Sequence, residues 1–139
     1  MAQELINRAM ATLYRHPGPE ASSELRTLID QLERLRTEEP LSRQLHIVLG
    51  NAYRNLGDLD RAVGILSEYI SRKESAGQFD HDLADAYYNR ACYFVLGGDV
   101  ERGLDDLKKS FRLRPDNLEN AATDADLAAV RDRLAALRS

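Results

Sequence analysis

Residues 46–57 read His46-Ile-Val-Leu-Gly-Asn-Ala-Tyr-Arg-Asn-Leu-Gly57 and carry the clearest pattern in the chain. Small Gly50 is followed by aromatic Tyr53 three residues later and by Gly57 seven residues later. A small residue lets a second helix approach closely, and an aromatic side chain one turn on fills the space beside that contact. Glycine then adopts the left-handed conformation that ends a helix and reverses the chain. The stretch therefore predicts a helix, a tight turn and a second helix.

The same spacing occurs on both sides of this stretch. It is carried by two further triplets, Ala11–Tyr14–Gly18 and Ala91–Phe94–Gly98. The three glycines are 39 and 41 residues apart. Self-similarity with a period of about 20–50 residues is the signature of a repeat architecture. The chain is thus predicted to be built from about three helix hairpins.

The apolar residues support an all-α fold. They recur every three or four residues between glycines and prolines, whereas alternating runs of β-branched residues are nearly absent. Leu25, Leu28, Ile29 and Leu32 form one such stripe. The pattern predicts seven helices, at about 3–15, 21–37, 42–56, 59–73, 81–96, 100–113 and 124–138.

Composition narrows the classes of function. With 139 residues, 43% hydrophobic and 30% charged, the chain suits one globular domain. A single cysteine excludes an internal disulfide framework and, with three scattered histidines, a structural zinc site. A net charge of −4 disfavours general nucleic-acid binding. No apolar run approaches the roughly 18 residues of a membrane span, and the first residues lack the layout of a secretory signal. We therefore expect a cytoplasmic protein with no nucleic-acid or membrane partner.

These motifs resemble the tetratricopeptide (TPR) repeat family, strongly in the second and third units and weakly in the first. The matching positions are Ala11, Tyr14, Gly18, Leu49, Gly50, Tyr53, Gly57, Ala62, Tyr87, Ala91, Phe94, Gly98 and Pro115. His46, Arg90 and Gly103 depart from the family pattern. The resemblance implies an α-solenoid of about three TPR-like helix hairpins plus a C-terminal capping helix. It divides a single domain, 1–139, into a degenerate repeat at 1–40, repeats at 41–80 and 81–116, and a capping segment at 117–139.

The capping segment has a helix-start signal of its own. Thr123-Asp124-Ala125-Asp126 has the hydroxyl-then-carboxylate spacing of an N-terminal capping box. Four apolar residues, Leu127, Val130, Leu134 and Leu137, are predicted to face inward. The phrase around them also looks like the endings of bacterial TPR proteins. Because stacked repeats leave a last face exposed, such a helix would close the array.

The resemblance implies a binding groove lined by the first helix of each hairpin. The residues that the family pattern places there are Arg8, Thr12, Arg15, Ile47, Asn51, Arg54, Asp85, Tyr88, Asn89 and Cys92. Amides and guanidinium groups suit the carbonyls or carboxylates of a peptide, and the arginines favour an acidic segment. Asn51 and Asn89 coincide with two asparagines of the carboxylate clamp in chaperone-binding members, although Ile47 departs from that clamp.

Nothing in the sequence predicts catalysis. It has no glycine-rich phosphate loop after a strand, no His-Glu-x-x-His pair and no Cys/His cluster. Cys92 has no histidine at helical spacing to activate it, and His46 is expected to be packed. The predicted function is a non-catalytic adapter or scaffold that binds a peptide or protein segment, without cofactor or metal. The alternative is a structural module that forms homodimers through its long second helices.

Overall fold

The computed structural model describes residues 2–15 and 22–137. Its helices are α1 (Ala2–Arg15), α2 (Ser22–Glu38), α3 (Arg43–Asn55), α4 (Leu59–Ser75), α5 (His81–Leu96), α6 (Val100–Leu113) and α7 (Asn117–Thr123), followed by a C-terminal 3₁₀ helix (Ala125–Leu137). The described residues contain no strand. The predicted all-α, helical-repeat fold class is confirmed.

The starts and ends of the helices have clear structural causes. Side-chain oxygens of Ser42, Asp80 and Asp99 accept hydrogen bonds from the backbone N–H groups at the starts of α3, α5 and α6. Such caps satisfy donors that have no partner inside the helix. Gly57 and Gly98 have φ angles of +81° and +90°, as predicted for glycines that reverse the chain. Sequence therefore determined these helix ends locally.

The chain divides into two compact units, Met1–Ile65 (unit 1) and Leu66–Ser139 (unit 2), and the boundary falls inside α4. The prediction of one domain with the repeat boundaries given above stays a prediction. In unit 1, α1 packs against α2 and α3, and α2 packs against α3. Its apolar core consists of Ile6, Ala9, Leu25, Leu28, Ile29, Leu32, Leu45, Val48, Leu49, Ala52, Tyr53, Ala62 and Ile65.

The register predicted for α1 is not the one that packs. Ala11 was expected at a close helix crossing, but it is exposed, whereas Ala9 and Thr12 are buried. The triplet spacing alone suggested Ala11, while the three-residue rhythm of Ile6, Ala9 and Thr12 selects the packed face. Gly18 lies outside the described residues, and so does the side chain of Tyr14.

Unit 2 is centred on the α5–α6 hairpin, where small residues allow close approach. Ala91 is fully buried in the core, as predicted. A Cβ built on Gly103 would lie 2.6 Å from Val95 Cγ2 and 3.2 Å from the carbonyl oxygen of Ala91. The glycine at 103, which departs from the family's alanine, is therefore explained by how closely α6 approaches α5.

The second departure, Arg90, belongs to an ion pair between the same helices. Its Nε and Nη2 atoms donate to the two carboxylate oxygens of Asp106, each at 2.7 Å. Its Nη1 donates to Ser67 Oγ at 3.1 Å, and its guanidinium lies 5.6 Å from the ring centre of Phe94. Burial by itself would lower the pKa of Arg90, but the hydrogen bonds and charge of Asp106 outweigh burial and raise it. The pair is thus a fixed, charged element of the hairpin.

The C-terminal segment differs from the predicted single α-helix. A short helix, α7, precedes it, and Ala125–Leu137 is a 3₁₀ helix. At three residues per turn Leu127 and Val130 lie in one line and Leu134 and Leu137 in a second line a third of a turn away, so the apolar residues still share one side. The predicted inward face is confirmed: Leu127, Val130 and Leu134 are buried in the same core as Ala91, with Leu137 packed against it.

The start of this 3₁₀ helix is capped by Asp124 rather than by Thr123. Asp124 Oδ1 accepts from the N–H of Asp126 at 3.0 Å, and Leu127 donates its N–H to the Asp124 carbonyl. The Thr123 hydroxyl instead points back toward the Asn120 carbonyl. Because α7 runs through Thr123, the cap position moves one residue along the chain.

Candidate peptide-binding surface

Unit 1 brings two of the predicted groove residues together on α3. Asn51 and Arg54 line a shallow depression with Leu13 and Asn55. Ile47, one turn earlier on α3, is half-buried. Asn55 lies next to Arg54 in the chain. Leu13 comes from α1, so it reaches this depression only because α1 packs against α3. The depression combines amides, a guanidinium group and an apolar wall.

The groove residues predicted on α1 differ in how exposed their side chains are. Arg8 is exposed and lies one turn before Thr12. Thr12 is only 1% exposed, and its hydroxyl donates to the Arg8 carbonyl at 2.9 Å and to Glu24 Oε1 at 3.3 Å. The prediction of Thr12 as a groove residue is therefore wrong, because its side chain is turned toward α2. The side chain of Arg15 lies outside the described residues.

In unit 2, the predicted groove residue Asp85 is bound by the chain itself. Arg114 Nη1 lies 3.1 Å from both carboxylate oxygens of Asp85, and Asn117 Nδ2 lies 3.5 Å from one of them. Asn117 is buried and also donates to Ser110 Oγ at 2.9 Å. Ser110 in turn donates to the Ala84 carbonyl at 2.8 Å. These contacts join α7 to the α5–α6 hairpin.

Tyr88 and Cys92 are also engaged by the C-terminal segment. The Tyr88 hydroxyl donates to Asp124 Oδ2 at 2.8 Å, and Cys92 Sγ lies 4.0 Å from the same oxygen. Burial, followed by the hydrogen bond and negative charge of Asp124, raises the pKa of Tyr88 well above its ordinary value. Cys92 is 3% exposed. Both side chains therefore serve an internal contact here.

Asn89 is the predicted α5 residue that lies apart from these contacts with the C-terminal segment. It is half-buried, and its Nδ2 donates to the Asp85 carbonyl one turn earlier at 2.9 Å. Arg114, Asn117 and Asp124 bind the α5 face, a role that was not predicted for any of them. Their separation from Asp85 and Tyr88 by about thirty residues leaves no local signal.

The donor atoms of Cys92, Asp124 and Asp126 lie within 4.8 Å of one another. A thiolate and two carboxylates are metal-binding groups by type. Here, however, the Asp124 carboxylate already accepts from the Tyr88 hydroxyl and from the Asp126 N–H. We therefore assign this cluster to the attachment of the C-terminal 3₁₀ helix.

Comparison with known proteins gives one family match. The model of the tetratricopeptide repeat matches residues 44–75, which span most of α3 and all of α4. No curated protein and no solved structure matches the chain. In the described residues, no helix has the length and apolarity needed to cross a bilayer. The glycine turn, the buried small residues and the family match agree, and residues 44–75 are a tetratricopeptide repeat.

Proposed function

We propose that this chain is a non-catalytic protein-interaction module that binds a peptide or protein segment. The observation that carries the proposal is the tetratricopeptide repeat at residues 44–75, since this repeat is generally found in interaction modules. Its first helix, α3, keeps Asn51 and Arg54 partly accessible beside a depression. This surface of unit 1, made by Leu13, Asn51, Arg54 and Asn55, is the proposed binding surface.

The chemistry of this surface favours an acidic segment. Arg54 can donate two parallel hydrogen bonds to a carboxylate, and the amide of Asn51 can bond a backbone carbonyl. Arg8 adds an exposed positive charge in the same unit. On the α5 face, Asp85, Tyr88 and Cys92 bind the C-terminal segment, which covers that face. We therefore place the partner on unit 1 and propose only a minor role for Asn89.

The ionisable groups support a role without catalysis. Groups with clearly shifted pKa values include three tyrosines, Asp80 and Arg90. Each of them forms a hydrogen bond within the protein that joins or caps helices. Active sites, in contrast, gather shifted groups in an accessible cleft. We also propose a cytoplasmic location, with which one buried free cysteine is compatible.

The test is affinity capture from the native lysate with the double variant Asn51→Ala/Arg54→Ala. We expect capture of the principal partner to fall at least tenfold, while helicity and melting temperature stay close to wild type. Arg26→Ala is the matched control, because it removes one exposed positive charge from α2. Asn89→Ala is expected to change capture by less than twofold. Unchanged capture by the double variant would refute this surface.

The alternative of a homodimer through the long second helices has less support. The exposed large apolar side chains of the described residues are Met10, Leu41, Phe79 and Leu96. None of them lies on α2 or α4. Stable dimers bury a sizeable, largely apolar patch, and α2 and α4 contribute none of these exposed large apolar residues to one. Light scattering over a concentration series tests this alternative directly.

A further inference from the structure

The turn between α4 and α5 holds an exposed aromatic residue in a defined position. Gly77 adopts a φ angle of +70°, and its N–H donates to the Glu74 carbonyl at 3.0 Å. The N–H of Gln78 donates to the Lys73 carbonyl at 2.9 Å. These bonds end α4 in a tight C-cap, as glycine in this conformation does. Phe79 follows directly and is 58% exposed.

A buried lysine fixes the residues on both sides of Phe79. Lys73 is only 3% exposed, and its Nζ donates to Gln78 Oε1 at 2.9 Å and to Asp80 Oδ2 at 2.7 Å. Asp80 Oδ1 also accepts the N–H of Leu83 at the start of α5. Burial by itself would raise the pKa of Asp80, but these hydrogen bonds lower it, so the carboxylate stays charged at neutral pH. The loop is therefore tethered before and after the exposed ring.

The surroundings of Phe79 have the chemistry of a cation-binding site. A shallow depression is lined by Phe79, Asp80, His81, Asp82 and Leu113, with no lysine or arginine in this lining. The face of an aromatic ring attracts a cation, and carboxylates add to that attraction. An apolar side chain such as Leu113 suits the methylene stem of lysine or arginine. Rigid presentation lowers the entropy cost of binding.

From this geometry we infer that the Phe79 loop docks an arginine- or lysine-bearing segment of a partner protein. The site belongs to unit 2 and is independent of the surface proposed on unit 1. The cation lies on the ring of Phe79 and pairs with Asp82, whose side chain is exposed at the first turn of α5. The charge of Asp80 is balanced by Lys73, so its part in the site is to hold the loop in place.

The proposal can be tested by NMR titration of the full chain with two pentapeptides, Ala-Arg-Leu-Arg-Ala and Ala-Glu-Leu-Glu-Ala. We expect the arginine peptide to shift amide signals at 78–83 and at Leu113, and the glutamate peptide to leave them unchanged. Phe79→Leu keeps apolar bulk but removes the ring, and it should weaken binding about two- to fivefold. Asp82→Asn should weaken it by a similar factor.

Leu96→Ala is the matched control, because Leu96 is an exposed apolar residue at the other end of α5. It should leave the affinity unchanged. Shifts spread over other acidic faces, or equal affinity for Phe79→Leu and wild type, would overturn the inference. Concentration-dependent shifts at Phe79 without peptide would also overturn it, because they would show that a second copy occupies the site.

Discussion

Exchange of the Arg90–Asp106 ion pair for apolar residues should leave the protein as stable as wild type or more stable. The tetratricopeptide repeat at residues 44–75 comes one repeat earlier in the chain and shows which apolar residues can replace the pair. Positions 49 and 65, which lie 41 residues before Arg90 and Asp106, are the buried apolar residues Leu49 and Ile65. The test is therefore the cycle formed by Arg90→Leu, Asp106→Ile and the double variant.

The expected magnitudes follow from the exposure of each side chain. Asp106 is 3% exposed, so Arg90→Leu leaves a buried carboxylate without its two donors and should cost about 3–5 kcal/mol. Arg90 is 16% exposed and keeps Ser67 and Phe94 as neighbours, so Asp106→Ile should cost less, about 1–3 kcal/mol. The double variant should lie within about 1 kcal/mol of wild type or above it.

Urea unfolding followed by circular dichroism at constant pH gives the four free energies of unfolding. They should yield a coupling energy of at least about 3 kcal/mol between the two sites. The cysteine is kept in all variants, and native helicity is checked before each titration. If Arg90→Leu alone costs less than about 1 kcal/mol, or if the two single losses simply add, the reasoning about the buried pair is wrong.

Two further predictions concern glycine packing and alkaline stability. Gly64→Ala, where a Cβ would meet no atom within 4 Å, should stabilise the protein by about 0.5–1 kcal/mol. Gly103→Ala, whose Cβ would meet Val95, should instead destabilise it by about 1–3 kcal/mol, and equal effects in urea unfolding would contradict the close approach of α5 and α6. Burial, followed by the hydrogen bond to Glu33, raises the pKa of Tyr53 from 10.0 to about 12. The contribution of Tyr53 to the free energy of unfolding is therefore complete below pH 10 and is lost as the pH rises through about 12. Tyr53→Phe should therefore lose less stability than wild type over that pH range, and identical pH profiles would show that this tyrosine is not responsible.

Much of the repeat could be predicted from sequence because its signals are local. Gly57 and Gly98 end helices by backbone conformation, and Asp80 and Asp99 start helices by capping N–H groups three residues later. Each of these interactions joins residues within one turn, so the residue types and their spacing suffice. The apolar stripes of α2 and of the C-terminal segment followed from periodicity for the same reason.

The candidate site was less predictable, because it depends on which helices meet. Asn51 and Arg54 line a depression, and their place in a binding groove stays a prediction, whereas Thr12 is turned toward α2. The family pattern assigned Tyr88 to an open groove, whereas Asp124 binds its hydroxyl. A repeat motif describes one hairpin, and it carries no information on what a capping segment covers.

The residue types and their spacing by themselves determined helices α1 to α6 and the tetratricopeptide repeat, since those features rest on contacts between near neighbours. Tertiary structure alone decided that Arg90 pairs with Asp106, that Gly103 admits no side chain and that Asp124 reaches Tyr88. These contacts join residues 8 to 36 positions apart, and they form only when packing of the apolar faces has brought the helices together.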